Sequence, residues 1–468
     1  MLLPWLTFFD FRGAFANFIE TKRLDYQNKC EDFVILVPIF NDVKYLTNIE
    51  FLRKYSGRVA LCTTNIETDE FYEKLYKIAD ENGFMVIECD FDKGMKNPWK
   101  IYHKTLVAHE YVLGRSLKAL KAKYVIFLDG DTTCKNELSY LAGIMERDNI
   151  DLASVKIVPS KHETVAENLQ YIEYEIAMKS RRIYPWLTSG AAMIGKRDSM
   201  EKIMEKHSLF FNGGDIEIGK IAYLMGFKVE YIPVNFYTDV PETIPKLVKQ
   251  RTSWFCGAFR HSVINAHTNL FSPLYSLYFT IIIFFMLPFK IYEMLSFWYV
   301  LPFIIVFYMI MTIVSNWKIR NRYMLISPLY SLLQVIIMPI LGMFKYFETI
   351  IRTGNVGFIK VFYKNNYPPL RYVFNILLIG VIIFAIFNID VVEEKLLLHN
   401  IDIFGILELD FHSKSVLSII YNGIKLFLVM TGTFFFFMIL FRTFYYVRDS
   451  ITNKKVKLDY RKIFKIWM

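Results

Sequence analysis

Cysteine is scarce in these 468 residues, with five in all. Cys30, Cys62, Cys89, Cys134 and Cys256 stand singly, and no C-x-x-C spacing occurs. An odd number of scattered thiols argues against a disulfide framework or a zinc site and fits a reducing compartment. His103, His162 and His261 are isolated as well, and none is assigned to a metal. The stretch from Met1 to Phe18 is apolar but has no positive opening and no small-residue cleavage site, and it carries Asp10 and Arg12. A secretory leader needs the first two features. Residues 1–30 are therefore read as an amphipathic interfacial segment.

Apolar and aromatic side chains are in excess. The chain is 54% hydrophobic and 17% aromatic, with 43 Phe, against about 45 to 50% apolar in ordinary soluble domains. Lys and Arg number 55 against 45 Asp and Glu, a formal net charge of +10. Every long apolar run falls after residue 267. The expected organisation is an aqueous module over 31–267, a membrane module over 268–441 and a basic tail over 442–468. With all five cysteines in it, the aqueous module is expected in the cytosol.

A helix needs about 20 apolar residues to cross a bilayer. Four stretches qualify, at about 271–289, 298–316, 373–388 and 420–441. A fifth, at 327–344, carries Gln334, Pro339 and Gly342. If all five crossed, the basic loop at 345–372 and the tail with Lys454, Lys455, Lys457, Arg461, Lys462 and Lys465 would face outside, against the positive-inside bias. If the fifth only dips or lies at the interface, those segments become cytosolic and the acidic loop at 389–410 external. Four spans plus one re-entrant or interfacial helix at 327–351 are expected, a plain fifth span being the other reading.

In the aqueous module, Phe33 to Asp42 reads FVILVPIFND, an unbroken apolar run ending in turn residues. Val59 to Asn65, Phe84 to Cys89 and Lys123 to Asp131 repeat the pattern, with helical stretches at Thr68 to Asn82 and Lys100 to Lys121 between them. Continuous Val, Ile and Leu runs suit parallel strands covered on both faces, and the alternation implies an open α/β sheet. Ligands of such sheets sit beyond the carboxyl ends of the strands. Asn41, Asp42, Thr63, Thr64, Asp129 and Asp131 fall there.

Asp129-Gly130-Asp131 sets two carboxylates one glycine apart just past a buried strand, able to converge on one hard cation that also holds a diphosphate. The same tripeptide is an ordinary turn. In NGGDIEIGK, Asp215 follows a glycine loop and opens a helix over Ile216 to Met225. It reads either as a helix cap or as a general base for an acceptor hydroxyl. Lys246 to His261, KLVKQRTSWFCGAFRH, reads either as a membrane-surface belt or as a cover over a phosphate and a base.

Taken in order, these segments resemble the membrane-integrated family 2 glycosyltransferases, the class of cellulose, chitin and hyaluronan synthases. The resemblance covers about residues 30 to 440. VPIFND is similar to the family's first strand and turn, and LDGDTT to its metal-binding D-x-D segment. TSGAAMIGKRDSM (Thr188 to Met200) resembles the glycine-rich acceptor segment, GGD the segment ending in the catalytic base, and QRTSW at 250–254 the Q-x-x-R-W motif. The departures are Ser253 where that motif has Arg, Thr63-Thr64 where an acid contacts the nucleotide, Gly213-Gly214 in place of Thr-Glu, and RTGNVGF (Arg352 to Phe358) where processive members carry W-G-T-R.

The resemblance implies a GT-A-type nucleotide-sugar-binding domain followed by a multi-span α-helical membrane domain. It further implies inverting transfer from a UDP-sugar of the glucose or N-acetylglucosamine class, elongating a β-linked polysaccharide coupled to export. Asp129 and Asp131 would hold Mg²⁺ or Mn²⁺. Asp42, Lys96, Asp129, Asp131, Gln250 and Arg251 would contact the nucleotide sugar, Gly190 and Trp254 the acceptor, and Asp215 would be the base. Lys96 also reads as a solvated loop lysine. Expected partners are the donor, a glycan or lipid-linked acceptor and the bilayer, with no nucleic acid. The competing readings are transfer of one sugar to a polyprenyl phosphate, a transporter with a nucleotide-binding domain, and an inactive relative. No ionisable residue in mid-span marks an ion path for the transporter.

Overall fold

The computed structural model describes residues 27–90, 109–265, 268, 299 and 301–361. Lys96, most of the N-terminal segment, the stretches expected to span at 271–289, 373–388 and 420–441, and the basic tail lie outside the described residues.

Strand β1 (Phe33–Pro38) is buried at all six positions. Its side chains alternate between two cores: Ile35 and Val37 enter one, Val34 and Leu36 the other. A strand covered on both faces has no use for a polar alternation, which is why the sequence reads as an unbroken apolar run. β2 (Val59–Thr64), β3 (Met85–Cys89) and β4 (Tyr124–Leu128) pair with it in parallel as β3-β2-β1-β4. Short helix α1 (Ile49–Arg53) follows β1. Helix α2 (Asp69–Asn82) joins β2 to β3. The Thr68 hydroxyl accepts from the Phe71 N–H at its start, and Gly83, at φ +67°, ends it; both are common stop and start devices. Helix α3 (His109–Leu117) leads into β4.

Beyond β4 the sheet is no longer parallel. Eight strands follow the order β3-β2-β1-β4-β7-β6-β8-β5. β5 (Thr133–Cys134) and helix α4 (Leu138–Arg147) come next in the chain, then β6 (Leu152–Pro159) and the long helix α5 (Val165–Ile183). β7 (Ala192–Lys196), inside the segment read as acceptor-binding, slots antiparallel between β4 and β6. After helices α6 (Arg197–Met204) and α7 (Gly214–Leu224), β8 (Val229–Thr238) runs parallel to β6 and carries β5 antiparallel on its far edge. The expected open α/β sheet is thus half parallel and half mixed, because β7 enters between β4 and β6 antiparallel to both.

Helix α8 (Ile244–Phe259) runs into a π-helical turn at Arg260–Ile264. Helix α9 (Leu301–Ser315) falls within the stretch expected to span at 298–316. Helix α10 (Ser327–Thr353) covers the fifth apolar stretch as one element with Pro339 inside it. Among the described residues it is the one helix long and apolar enough to cross a membrane.

Both ends of α10 are bound to the aqueous module. Near its start, Tyr330 Oη donates to Glu173 Oε2 of α5 at 2.8 Å, and Asn321 Nδ2 donates to Asn168 Oδ1 at 2.9 Å. Its middle lies on α8, where a Cβ on Gly342 would stand 2.5 Å from the Phe255 carbonyl carbon. Beyond its end, Asn355 Nδ2 donates to Ser208 O at 2.8 Å, and Ile359, fully buried, joins the core beneath β1. The opposite face of α10 exposes Leu329, Leu333, Ile337, Phe344, Phe347 and Ile351.

The Gly342 contact is against backbone, so no rotamer change relieves it. Gly342→Ala is expected to lower the unfolding midpoint of detergent-solubilised protein, through an overpacking cost of about 1 to 3 kcal/mol. An unchanged midpoint would mean that α10 does not seat on α8 in this register.

Candidate active site

The Asp129–Asp131 turn is built by its neighbours. The Asn48 side chain donates to Asp129 O (3.1 Å) and Thr132 O (2.6 Å), and the N–H groups of Thr47 and Asn48 both donate to Gly130 O. A Cβ at Gly130 would come 2.9 Å from Tyr45 O, so glycine is needed for that approach. The Thr132 N–H closes the turn on Asp129 O at 3.1 Å. The ordinary turn and the paired carboxylates are therefore one object. Asp131 Oδ1 accepts from the hydroxyls of Thr132 and Thr238, each at 3.1 Å, while the Asp129 carboxylate accepts no hydrogen bond among the described residues.

Asp215 reaches the same place from α7. The N-cap of α7 is Gly213, at φ +73°, with no side-chain cap bond. The helix-cap reading of Asp215 is thereby corrected: it lies one residue inside the helix, and its Oδ2 accepts from the Gly190 N–H at 2.8 Å. The next residue, Ala191, offers its carbonyl to the Asp129 N–H at 3.1 Å. Two consecutive residues thus hold the Asp215 carboxylate and the Asp129 main chain. The Thr188 hydroxyl donates to Asp215 O and fixes the same helix turn.

The carboxylates repel one another. Burial, then Asp131, Asp215 and Glu110, push the Asp129 carboxyl well above its usual range. Burial likewise raises Asp131, against the two threonine hydroxyls that favour its ionised form. Glu110, at the start of α3, is raised by burial, with His207 opposing and Asp215 and Glu217 adding to the rise. It presses into the glycine loop: a Cβ on Gly214 would lie 2.2 Å from its Cδ. The sequence reading missed Glu110, because a lone acid in a helix that begins outside the strand ends carries no spacing signal.

The loop carrying Asp215 is held from behind by buried charge. Arg260 donates to Gly213 O (3.0 Å) and Ser208 Oγ (3.0 Å) and pairs with Glu217 (2.5 Å), both side chains being fully buried. His261 Nε2 lies 2.9 Å from Gly213 O, and His207 Nε2 lies 3.0 Å from Gly214 O. Burial and the adjoining Arg260 and Lys220 hold His261 far below the ordinary imidazole range, so it sits there neutral. Glu217, Arg260 and His207 were not singled out by the sequence reading.

The remaining expected residues are dispersed. Asp42 is exposed at the end of β1, where it caps the 3₁₀ turn at Val43–Tyr45, and its pairing with Lys44 lowers its carboxyl below the usual range. Gln250 accepts from Arg251 on α8. Arg251 is not open to a ligand as expected: it is 1% exposed, pairs with Glu173 at 2.6 Å and covers one side of Trp254. Trp254 is 45% exposed. Among the described residues no group of three His, Cys, Asp or Glu side chains forms a cage for a metal ion.

The family model described as "Glycosyl transferase family group 2" matches residues 124–447, well over half of the chain. The chain belongs to that family. It is a glycosyltransferase. Curated relatives include poly-beta-1,6-N-acetyl-D-glucosamine synthase of Staphylococcus aureus, 22% identical over 250 residues, which are 51% of this chain and 56% of the relative. The chain thus spans about half the length of the curated relatives it matches. Among solved structures, a mannosyltransferase from Pyrobaculum calidifontis in complex with GDP-Man and Mn²⁺ covers 73% of this chain and 94% of its own, at 10% identity and a TM-score of 0.41. Glucosyl-3-phosphoglycerate synthase from Mycobacterium tuberculosis, with Mn²⁺, UDP and phosphoglyceric acid, covers 48% and 77%, at 12% identity and a TM-score of 0.31.

The raised Asp129 carboxyl fixes the sign of a pH effect. An acid whose folded pKa lies above its unfolded value binds more protons when folded, so the metal-free protein loses stability as pH rises from the ordinary carboxylate range through the raised folded value. Asp129→Asn removes that repulsion. It is expected to raise the metal-free unfolding midpoint at neutral pH and to flatten its pH dependence while abolishing transfer. A lower midpoint for the variant would show that Asp129 is not electrostatically strained.

Proposed function

We propose that this glycosyltransferase uses a UDP-sugar of the glucose or N-acetylglucosamine class to elongate a β-linked polysaccharide with inversion. The observation that carries the reading is the convergence of Asp129 and Asp215 on Gly190-Ala191, which joins a strand-end carboxylate pair to a separate acid on one patch. The S. aureus relative, named for synthesis of a β-linked polymer, supports the polymer product.

Asp129 and Asp131 fit a divalent cation by the chemistry of their donor set, hard oxygens both raised in pKa by burial, Asp129 also by the acids around it. As only two protein carboxylates are offered, the diphosphate would complete the shell. Mg²⁺ or Mn²⁺ bound there would neutralise charge developing on the UDP leaving group. Asp215 Oδ2 is held by Gly190, and Oδ1, with no donor among the described residues, is the oxygen left to take the proton from the acceptor hydroxyl. The acceptor oxygen bonds to the anomeric carbon as the bond to the diphosphate breaks on the opposite face, turning an α-linked donor into a β-linked product. Trp254 offers its exposed face to the acceptor sugar.

The membrane arrangement in this reading is four spans with α10 at the cytosolic face. Contacts of residues 321–330 and 355–361 with the same aqueous module support it, since a helix tied to one domain at both ends lies along that domain. Its exposed Leu, Ile and Phe face then meets lipid, and the spans serve export of the polymer.

The test is transfer from radiolabelled UDP-sugars by membranes carrying the protein, with Mn²⁺ or EDTA, products being split into polymer and solvent-extractable fractions. Metal-dependent label in the polymer fraction is expected. Asp215→Asn should lower it by roughly 10²- to 10⁴-fold, the usual worth of a general base. Label confined to the extractable fraction would convert the reading to transfer onto a lipid carrier, and full activity in the variant would remove Asp215 as the base.

A further inference from the structure

Arg251 and Trp254 stand three residues apart on α8, a spacing that stacks side chains on one helix face. The Arg251 guanidinium carbon lies 3.9 Å from the centre of the Trp254 ring. Arg251 is buried and Trp254 half exposed, so the guanidinium covers one face of a ring that still reaches solvent. Tyr174 of α5 stacks beside it, with centroids 6.1 Å apart and planes 23° from parallel. The orientation of the ring therefore depends on where Arg251 is held.

Glu173 holds it. Arg251 Nη2 and Tyr330 Oη donate to the same oxygen, Glu173 Oε2, at 2.6 and 2.8 Å. A buried guanidinium deprived of its counter-ion is driven toward water, and any such movement changes its contact with the Trp254 ring. Three helices, α5, α8 and α10, meet at this one carboxylate oxygen.

We propose that Glu173, assisted by Tyr330, is a positioning residue that sets the plane of Trp254 through Arg251 and so fixes how the acceptor sugar is received. This rests on the reading of Trp254 as the acceptor platform. It also gives the second residue of QRTSW a use other than phosphate binding, since a phosphate reaching Arg251 would have to break the pair with Glu173.

The experiment measures initial rates against cello-oligosaccharide and chito-oligosaccharide acceptors at saturating donor, for wild type, Trp254→Ala, Glu173→Gln, Tyr330→Phe and the double variant at 254 and 173. Trp254→Ala is expected to raise acceptor KM roughly 3- to 10-fold, the scale of one aromatic contact. Glu173→Gln should raise acceptor KM to a similar extent and leave donor KM unchanged, and Tyr330→Phe should act in the same direction more weakly. In the Trp254→Ala background Glu173→Gln should add nothing. Should Glu173→Gln fail to fold, Tyr330→Phe, which deletes one hydroxyl, decides by the same criterion. The inference is overturned if these variants leave acceptor KM alone, shift donor KM instead, or add their full effect to that of Trp254→Ala. An unchanged acceptor KM in Trp254→Ala itself would overturn the platform reading, and the positioning role with it.

Discussion

Arg260 is fully buried, and a guanidinium can be taken out of water only where fixed partners replace it. Its partners come from separate parts of the chain: Glu217 of α7, Ser208 before that helix, the carbonyl of Gly213 in the loop before Asp215 and the carbonyl of Gly357 beyond α10. The hydrogen bonds from Asn355 to Ser208 and from Asn212 to Thr349 run alongside, so the loop before Asp215 is tied to α10 and to the segment after it by several polar contacts with Arg260 at their centre. Glycines make the approach possible. Gly213 approaches Gly257 so closely that a Cβ would lie 2.9 Å from the Gly257 Cα, and Gly357, at φ +70°, packs on the Arg260 stem.

In front of that joint the electrostatics reverse. Behind Asp215 the Arg260 guanidinium and the rings of His207 and His261 grip carbonyls; before it Glu110, Asp129 and Asp131 crowd a single region with few compensating groups. A protein optimised for stability alone would not hold the half-buried Asp129 carboxylate beside like charges with no hydrogen bond from the described residues. Such strain is characteristic of sites whose missing partner is a ligand. The rigidity behind and the repulsion in front belong together, since the acids stay close only because the loop that bears one of them cannot retreat.

The first half of the fold was legible because parallel strands buried on both faces leave long apolar runs, and β1 to β4 appear at those runs. β7 was hidden inside a glycine-rich motif: AMIGK is short, its antiparallel place beside β4 is set by a distant partner, and no local period marks it. Asp129, Asp131 and Asp215 were legible through their turns and spacing. Glu110, Glu173 and Arg260 were not, because what defines them is a partner 43 to 157 residues away or a Cβ-free gap, and neither leaves a trace in the surrounding sequence; His207 was not, because its contact with the Gly214 carbonyl follows no helical or strand spacing. Arg251 shows the opposite failure. Its neighbours suggested a phosphate contact, whereas tertiary packing drew it inward to Glu173.

That inward turn bears on how the motif works here. With Ser253 at the position where the resembled motif carries an arginine, and Arg251 paired inside the protein, α8 presents an aromatic ring and no free guanidinium. In the proposed reading, neutralising the diphosphate would then fall to a cation at the strand-end carboxylates and to residues outside α8, and the helix would be left with one task toward the substrate, the display of Trp254. The same ion pair joins it to α10, whose other face is a stripe of exposed Leu, Ile and Phe. A displacement of α10 would consequently reach Trp254 through Tyr330, Glu173 and Arg251 at one end, and the loop before Asp215 through Arg260 at the other.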